Sequence, residues 1–182
     1  MKTRLIVFFI LIALSAVGQN RSLLLKTALL NATAPDTFML RDSVLCYFSG
    51  DADSDSSFFN DMVRGKFITT DDVVYMKQQL NKNEHRVWTK DSIAGAVVLA
   101  STTLPSSALS AKKATKAWKA YFKLHNQGYF EAGKPLMSRD GNTAIMYTAF
   151  QCGANCGNGG ATLFQIKNGK WISVKNVYSW RK

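Results

Sequence analysis

Few side chains in this chain carry intrinsic reactivity, and two of them stand together in the stretch Cys152–Gly160, CGANCGNGG. Cys152 and Cys156 can close a small covalent ring, supply half of a zinc site, or present a thiol nucleophile. Gly153, Gly157, Gly159 and Gly160 permit backbone conformations that turn successive N–H groups into an anion nest. A zinc site needs two more ligands, and Cys46, His85 and His125 are the softer candidates, no two of them at ligand spacing. A nucleophile needs a base, which restricts the choice to His85 or His125. His125 closes a predicted helix, where packing or the negative helix end explains it without chemistry. No G-K-[ST] follows the glycines, and a strand rather than a helix comes next, so the phosphate-loop pattern is absent.

A second group of candidates is the stripe Lys112, Lys116, Lys119 and Lys123, whose charges could track phosphates or sulfated sugars. Helical spacing sets Trp118, Tyr121 and Phe122 on the opposite face, which reads as core, and the lysines as a solvated face. No RNA- or DNA-reading motif accompanies them, and no cofactor motif is present. Asp51, Asp53 and Asp55 suggest calcium, but an EF-hand needs glycine where Ser56 stands and glutamate where Met62 stands. Residues 51–57 are therefore expected to form an exposed polar loop.

The elements that must position these groups follow from periodicity. Residues 22–32 read as a short helix ended by Pro35, and 43–50 as a strand-forming run containing Cys46. Thr70 is a candidate cap for a helix through Leu80, with Asp71 and Asp72 against its positive end and Val73, Met76 and Leu80 on one face. "RVW" and "AVVLA" are strand candidates, and 106–125 is a lysine-rich amphipathic helix. From Gly128 onward, Asp140-Gly141 and Asn168-Gly169 punctuate four strands. Apolar residues on both faces of those strands, such as Ile145 and Tyr147 against Met146 and Phe150, require cover on both sides. The expected fold is α+β: an antiparallel meander of about four or more strands packed against the lysine-rich helix.

The chain begins with Lys2 and Arg4, an apolar run from Leu5 to Leu14, and the small residues Ala16-Val17-Gly18. This is the layout of a secretory signal peptide cleaved after Gly18, and the run is shorter than the roughly 20 residues that cross a bilayer. Residues 19–182 then form a single domain of 164 residues, long enough to bury roughly 70% of its unfolded surface. Cleavage removes two basic residues and lowers the formal charge from +11 to +9. Glutamate is scarce, with Glu84 and Glu131 the two present. Such a charge favours polyanions by long-range attraction. No span remains in the expected mature protein.

Trp118, Tyr121 and Phe122 in a lysine-rich helix, then "KPLMSRDGNTAIMY", "CGANCGNGG", "LFQIKNGKW" and Trp180, resemble a group of small exported bacterial proteins. "ITTDDVVYMKQQ" is similar to the segment these proteins place before their sheet. The resemblance implies export to the periplasm or medium and a Cys152–Cys156 disulfide, and it brings no catalytic motif. A glycine-rich turn can also bring two such α-carbons within the roughly 4.4–6.8 Å a disulfide requires. Pairings with Cys46 are the alternative.

These features favour an exported, non-enzymatic binding or interaction module without a metal or cofactor. Its contact surface would be the pinned loop Gly153, Ala154, Asn155, Gly157, Asn158, Gly159 and Gly160, and its partner a protein or an anionic polymer. The alternatives are a small secreted hydrolase using Cys156 or Cys152 with His125, and a polyanion binder using the four lysines.

Overall fold

Strand-forming sequence dominates the second half of the chain, and a mixed, mostly antiparallel seven-stranded sheet organises the fold. The computed structural model describes residues 23–29, 37–43, 52–83, 87–89, 93, 95–105 and 109–182. The signal-peptide segment, Cys46 and His85 lie outside these residues. Four α-helices occur among them: α1 (23–29), α2 (Ala52–Arg64), α3 (Thr70–Asn83) and α4 (Ala111–Leu124). The strands are β1 (Phe38–Arg41), β2 (Ala96–Leu99), β3 (Tyr129–Ala132), β4 (Leu136–Met137), β5 (Thr143–Gly153), β6 (Cys156–Lys167) and β7 (Lys170–Arg181).

The sheet runs β2-β1-β3-β5-β6-β7, with β4 also on β5. β3 and β4 pair with opposite ends of the same strand, interrupted around Pro135, which has no N–H to give a ladder. β5, β6 and β7 are joined by tight connections. Asn168 and Gly169 both have positive φ, +51° and +72°, as a type I′ turn between β6 and β7 demands.

Two features depart from the sequence reading. β1 lies between β2 and β3 and is parallel to both, so the sheet is not a pure antiparallel meander. Parallel strands of one sheet need long crossovers: α2 and α3 supply the one from β1 to β2, and α4 lies on the return past β1 from β2 to β3. Residues 52–57 of the acidic segment, expected to be a loop, are instead the start of α2. Asp53 and Asp55 fall within the helix, and Asp51 lies outside the described residues. Phe59 and Met62, three residues apart, give the helix a buried face.

Alternation divides the sheet residues between two faces. One carries Phe38, Leu40, Phe130, Met146 and Phe164, covered by Leu24, Leu25, Ala28 and Leu29 of α1 and by Trp88 and Ile93. The opposite face carries Ile145 and Leu163 under Phe59, Met62, Ile68 and Met76 of the α2–α3 region. Further along that same face, Tyr129 meets Trp118 and Tyr121 of α4. Between these two cores the same face carries Glu131, Ala149, Gly159 and Trp180 side by side, and a site can form there.

The α3 cap differs in detail from expectation: Thr69, not Thr70, caps the helix. The Thr69 Oγ1 accepts the Asp72 N–H at 3.1 Å, and Asp72 Oδ2 accepts the Thr69 N–H at 2.9 Å, a reciprocal capping pair. Asp72 Oδ1 also accepts the Arg139 N–H at 2.8 Å, which ties the helix to the β4–β5 turn. Partial burial opposes ionisation of this carboxyl, but the Arg139 and Thr69 hydrogen bonds outweigh it and hold the group below its ordinary range. A depressed carboxylate contributes stability above its unfolded value and loses it as pH falls through the folded one. Asp72→Ala should therefore cost about 1–2 kcal/mol at neutral pH. In urea titrations the difference from wild type should shrink as pH drops below about 4.

Candidate functional site: a cleft beside the disulfide hairpin

The disulfide expected between Cys152 and Cys156 is present, with α-carbons 5.0 Å apart. The stretch around it is not a projecting loop. β5 runs to Gly153 and β6 begins at Cys156, so only Ala154 and Asn155 make the turn. The register shifts between Gln151 and Gly153, leaving Cys152 as the extra residue of a bulge. The bulge swings its sulfur toward Cys156 and closes the ring across the hairpin end.

Gly157, Asn158, Gly159 and Gly160 are strand residues of β6. The described glycines with positive φ are Gly95, Gly141 and Gly169, so the cysteine stretch holds none of the left-handed residues a nest requires. Its glycines answer to packing. A Cβ on Gly159 would stand 2.6 Å from Ala149 Cβ and 2.9 Å from Trp180 Cζ2. One on Gly157 would stand 2.9 Å from Gln151 Oε1 and 3.4 Å from Trp180 Cη2. The two bare positions, one strand period apart, form a seat for the Trp180 indole, which sits across from Gly159 in the β6–β7 register. Trp180 Nε1–H then donates to Tyr147 Oη at 3.2 Å.

Next to that indole lies a cleft of about 620 Å³ between the sheet face, the start of α4 and the disulfide turn. Its polar floor is a long-range constellation. β1 and β3 pair with Met39 beside Tyr129 and Leu40 beside Phe130, so Arg41 falls beside Glu131. Arg41 Nη1 donates to Glu131 Oε1 at 2.9 Å, and Arg41 Nε donates to Ser43 Oγ at 2.6 Å. Gln151, opposite Tyr129 on β5, donates from Nε2 to Glu131 Oε2 at 3.1 Å. Glu131 is only 3% exposed, so both its oxygens need partners, and both have them.

The walls are apolar. Trp118 stacks on Tyr129 with centroids 5.5 Å apart and planes 8° from parallel. The Tyr129 hydroxyl donates to the Pro105 carbonyl at 3.3 Å and so holds the segment before α4. Trp180, Leu109 and Ala114 line the same space, with Asn155 and Lys182 at its edge. The volume suits a small organic ligand, and the lining sets aromatic walls against a comparable share of polar groups.

The other sequence-predicted residues fall elsewhere. Lys112, Lys116, Lys119 and Lys123 are exposed on α4, while Trp118 and Tyr121 of the same helix are buried. His125 caps the C-terminal end of α4, with its ring 4.7 Å from that of Tyr121. Both hairpin sulfurs are consumed in the disulfide, so the Cys–His pairing has no thiol in this form. No group of three or more metal-ligating side chains occurs among the described residues. Arg41 was not singled out in the sequence, and Glu131 only as one of two glutamates. The signal that could have found Glu131 is a lone carboxylate inside the otherwise apolar strand "YFEA", which cannot be buried without a cation or donors.

Behind the Trp118 wall, the Tyr121 hydroxyl is buried without a hydrogen-bond partner. Burial raises its pKa to about 12. Tyr121→Phe removes that unsatisfied group and should leave stability unchanged or raise it by up to about 1 kcal/mol. Thermal unfolding of the pair of proteins checks this.

No protein family matches the chain, and neither a curated protein nor a solved structure gives a significant match.

Proposed function

We propose that the protein is an exported, non-enzymatic binding module that holds a small organic ligand in the cleft between α4 and the sheet. The observation that carries this reading is the Glu131–Arg41–Gln151 constellation, a buried carboxylate held by a part-exposed guanidinium and an amide beside an open space with aromatic walls. A domain with no ligand to meet gains little by keeping such a pair, because apolar residues of similar volume usually serve stability as well or better. In this reading the antiparallel strands β3–β7, with the lysine-bearing α4 packed across one end, form the binding half. The disulfide fixes the turn that walls the cleft. Export is supported by the basic, apolar and small-residue pattern of residues 1–18, and by a disulfide, which persists in oxidising compartments. Purification from the exported fraction should yield a chain beginning at Gln19.

Ligand binding is tested by thermal-shift screening of small organic molecules against the wild type and Ala114→Phe, which fills the cleft from α4. Compounds that stabilise the wild type should lose their effect on the variant. Stabilisation that survives equally in Ala114→Phe contradicts the cleft as the site.

The exposed lysines of α4 favour a second reading, contact with an anionic polymer. Retention on heparin should then fall sharply when Lys112, Lys116, Lys119 and Lys123 are replaced together by glutamine. Unchanged retention contradicts it.

A further inference from the structure

The donor and acceptor inventory of the cleft defines its ligand more narrowly. Glu131 is its one carboxylate side chain, and both oxygens are already engaged, Oε1 by Arg41 and Oε2 by Gln151. Donors, by contrast, remain in supply. Arg41 has five N–H groups, of which one on Nη1 and that on Nε are used by protein acceptors; its side chain is 30% exposed. Lys182 brings a second cation to the edge, its Nζ 5.6 Å from the Trp180 ring centroid. The first turn of α4, which borders the cleft at Ala111, has no side-chain cap from Ser110 and no acidic residue, so its N–H groups add positive potential. The amide oxygens of Gln151 and Asn155 can still accept, but the cleft's charged donors have no open carboxylate side chain to meet, which favours a ligand that accepts.

We propose that the cleft takes a small organic oxyanion, a carboxylate or phosphoryl group on an apolar body. The oxyanion meets Arg41 and the body lies between the Trp118–Tyr129 stack and Trp180. The proposal rests on the cleft being a ligand site. Arg41 is suited to the task because its planar fork can hold Glu131 on one edge and offer the remaining donors to a second oxyanion. Glu131 anchors the guanidinium, and its negative charge tempers the pull on the ligand.

The test is calorimetric titration of the oxidised protein with phenylacetate, phenyl phosphate and the neutral phenylacetamide. At least one of the two anions should bind about tenfold or more tightly than the amide, and the preference should shrink as salt is raised. The tighter of the two anions distinguishes carboxylate from phosphoryl recognition. Glu131→Gln keeps an acceptor for Arg41 while removing the competing charge, so it should strengthen anion binding about three- to tenfold and leave the amide unchanged. Equal or tighter binding of the amide overturns the oxyanion while the cleft reading stands. Failure of both anions to bind at about 10 mM also overturns it. The cleft reading then stands or falls on whether neutral or cationic compounds lose their effect in Ala114→Phe.

Discussion

Arg41→Met should destabilise the protein by about 3 kcal/mol, the largest effect expected of a single polar substitution here. The cation removed is the partner of a carboxylate whose side chain is 4% exposed, and water cannot replace it fully. Gln151 alone would remain on Oε2, leaving Oε1 with no donor among those described. The partial exposure of Arg41 keeps the cost toward the lower end of the range for broken buried pairs. The diagnostic is the double variant Arg41→Met with Glu131→Gln. Removing the stranded charge while keeping a group that bonds Gln151 should recover more than half of the loss in urea unfolding. Purely additive losses would mean that the two side chains do not depend on each other.

Gly160→Ala should cost about 3 kcal/mol and act through backbone rather than side chains. A Cβ at this position would stand 2.2 Å from the Tyr178 carbonyl oxygen and 3.0 Å from Ser179 Cα. Neither atom is the end of a flexible side chain, so β7 itself must move away from β6. Trp180 is the next residue along β7, and its indole depends on that strand's position for its seat over Gly157 and Gly159. Loss of stability should therefore come with a change in tryptophan fluorescence of the folded state. A Gly160→Ala protein with wild-type stability and spectrum would show that β6 and β7 can part without cost.

The contrast between these two sites marks what the sequence makes legible. Local signals were sufficient where neighbours along the chain decide the structure. Asn168-Gly169 specifies a hairpin by backbone sterics alone, and the 3.6-residue spacing of Trp118, Tyr121 and Phe122 specifies the buried side of α4. β1 escaped notice because Phe38–Arg41 is four residues long and finds its partners in β2 and β3, far along the chain. Arg41 and Glu131 are 90 positions apart, and only the parallel register of β1 on β3 brings them together. The start of α2 misled because aspartate and serine are as frequent in loops as at helix N-termini; Phe59 and Met62 three residues apart were the deciding signal. In the cysteine stretch the covalent bond was legible. The role of the glycines was not, since the indole they accommodate arrives from β7.

The central claim is that the cleft beside the disulfide hairpin is where this protein meets its ligand. The chain's four tryptophans report on it directly, because they divide between the two faces of the sheet. Trp118 and Trp180 line the cleft, whereas Trp88 and Trp171 belong to the core on the opposite face. Indole N–H resonances followed by NMR during titration with a stabilising compound should show Trp180 and Trp118 shifting while Trp88 and Trp171 stay in place. Shifts confined to Trp88 and Trp171, or none at all under saturating binding, would contradict the account.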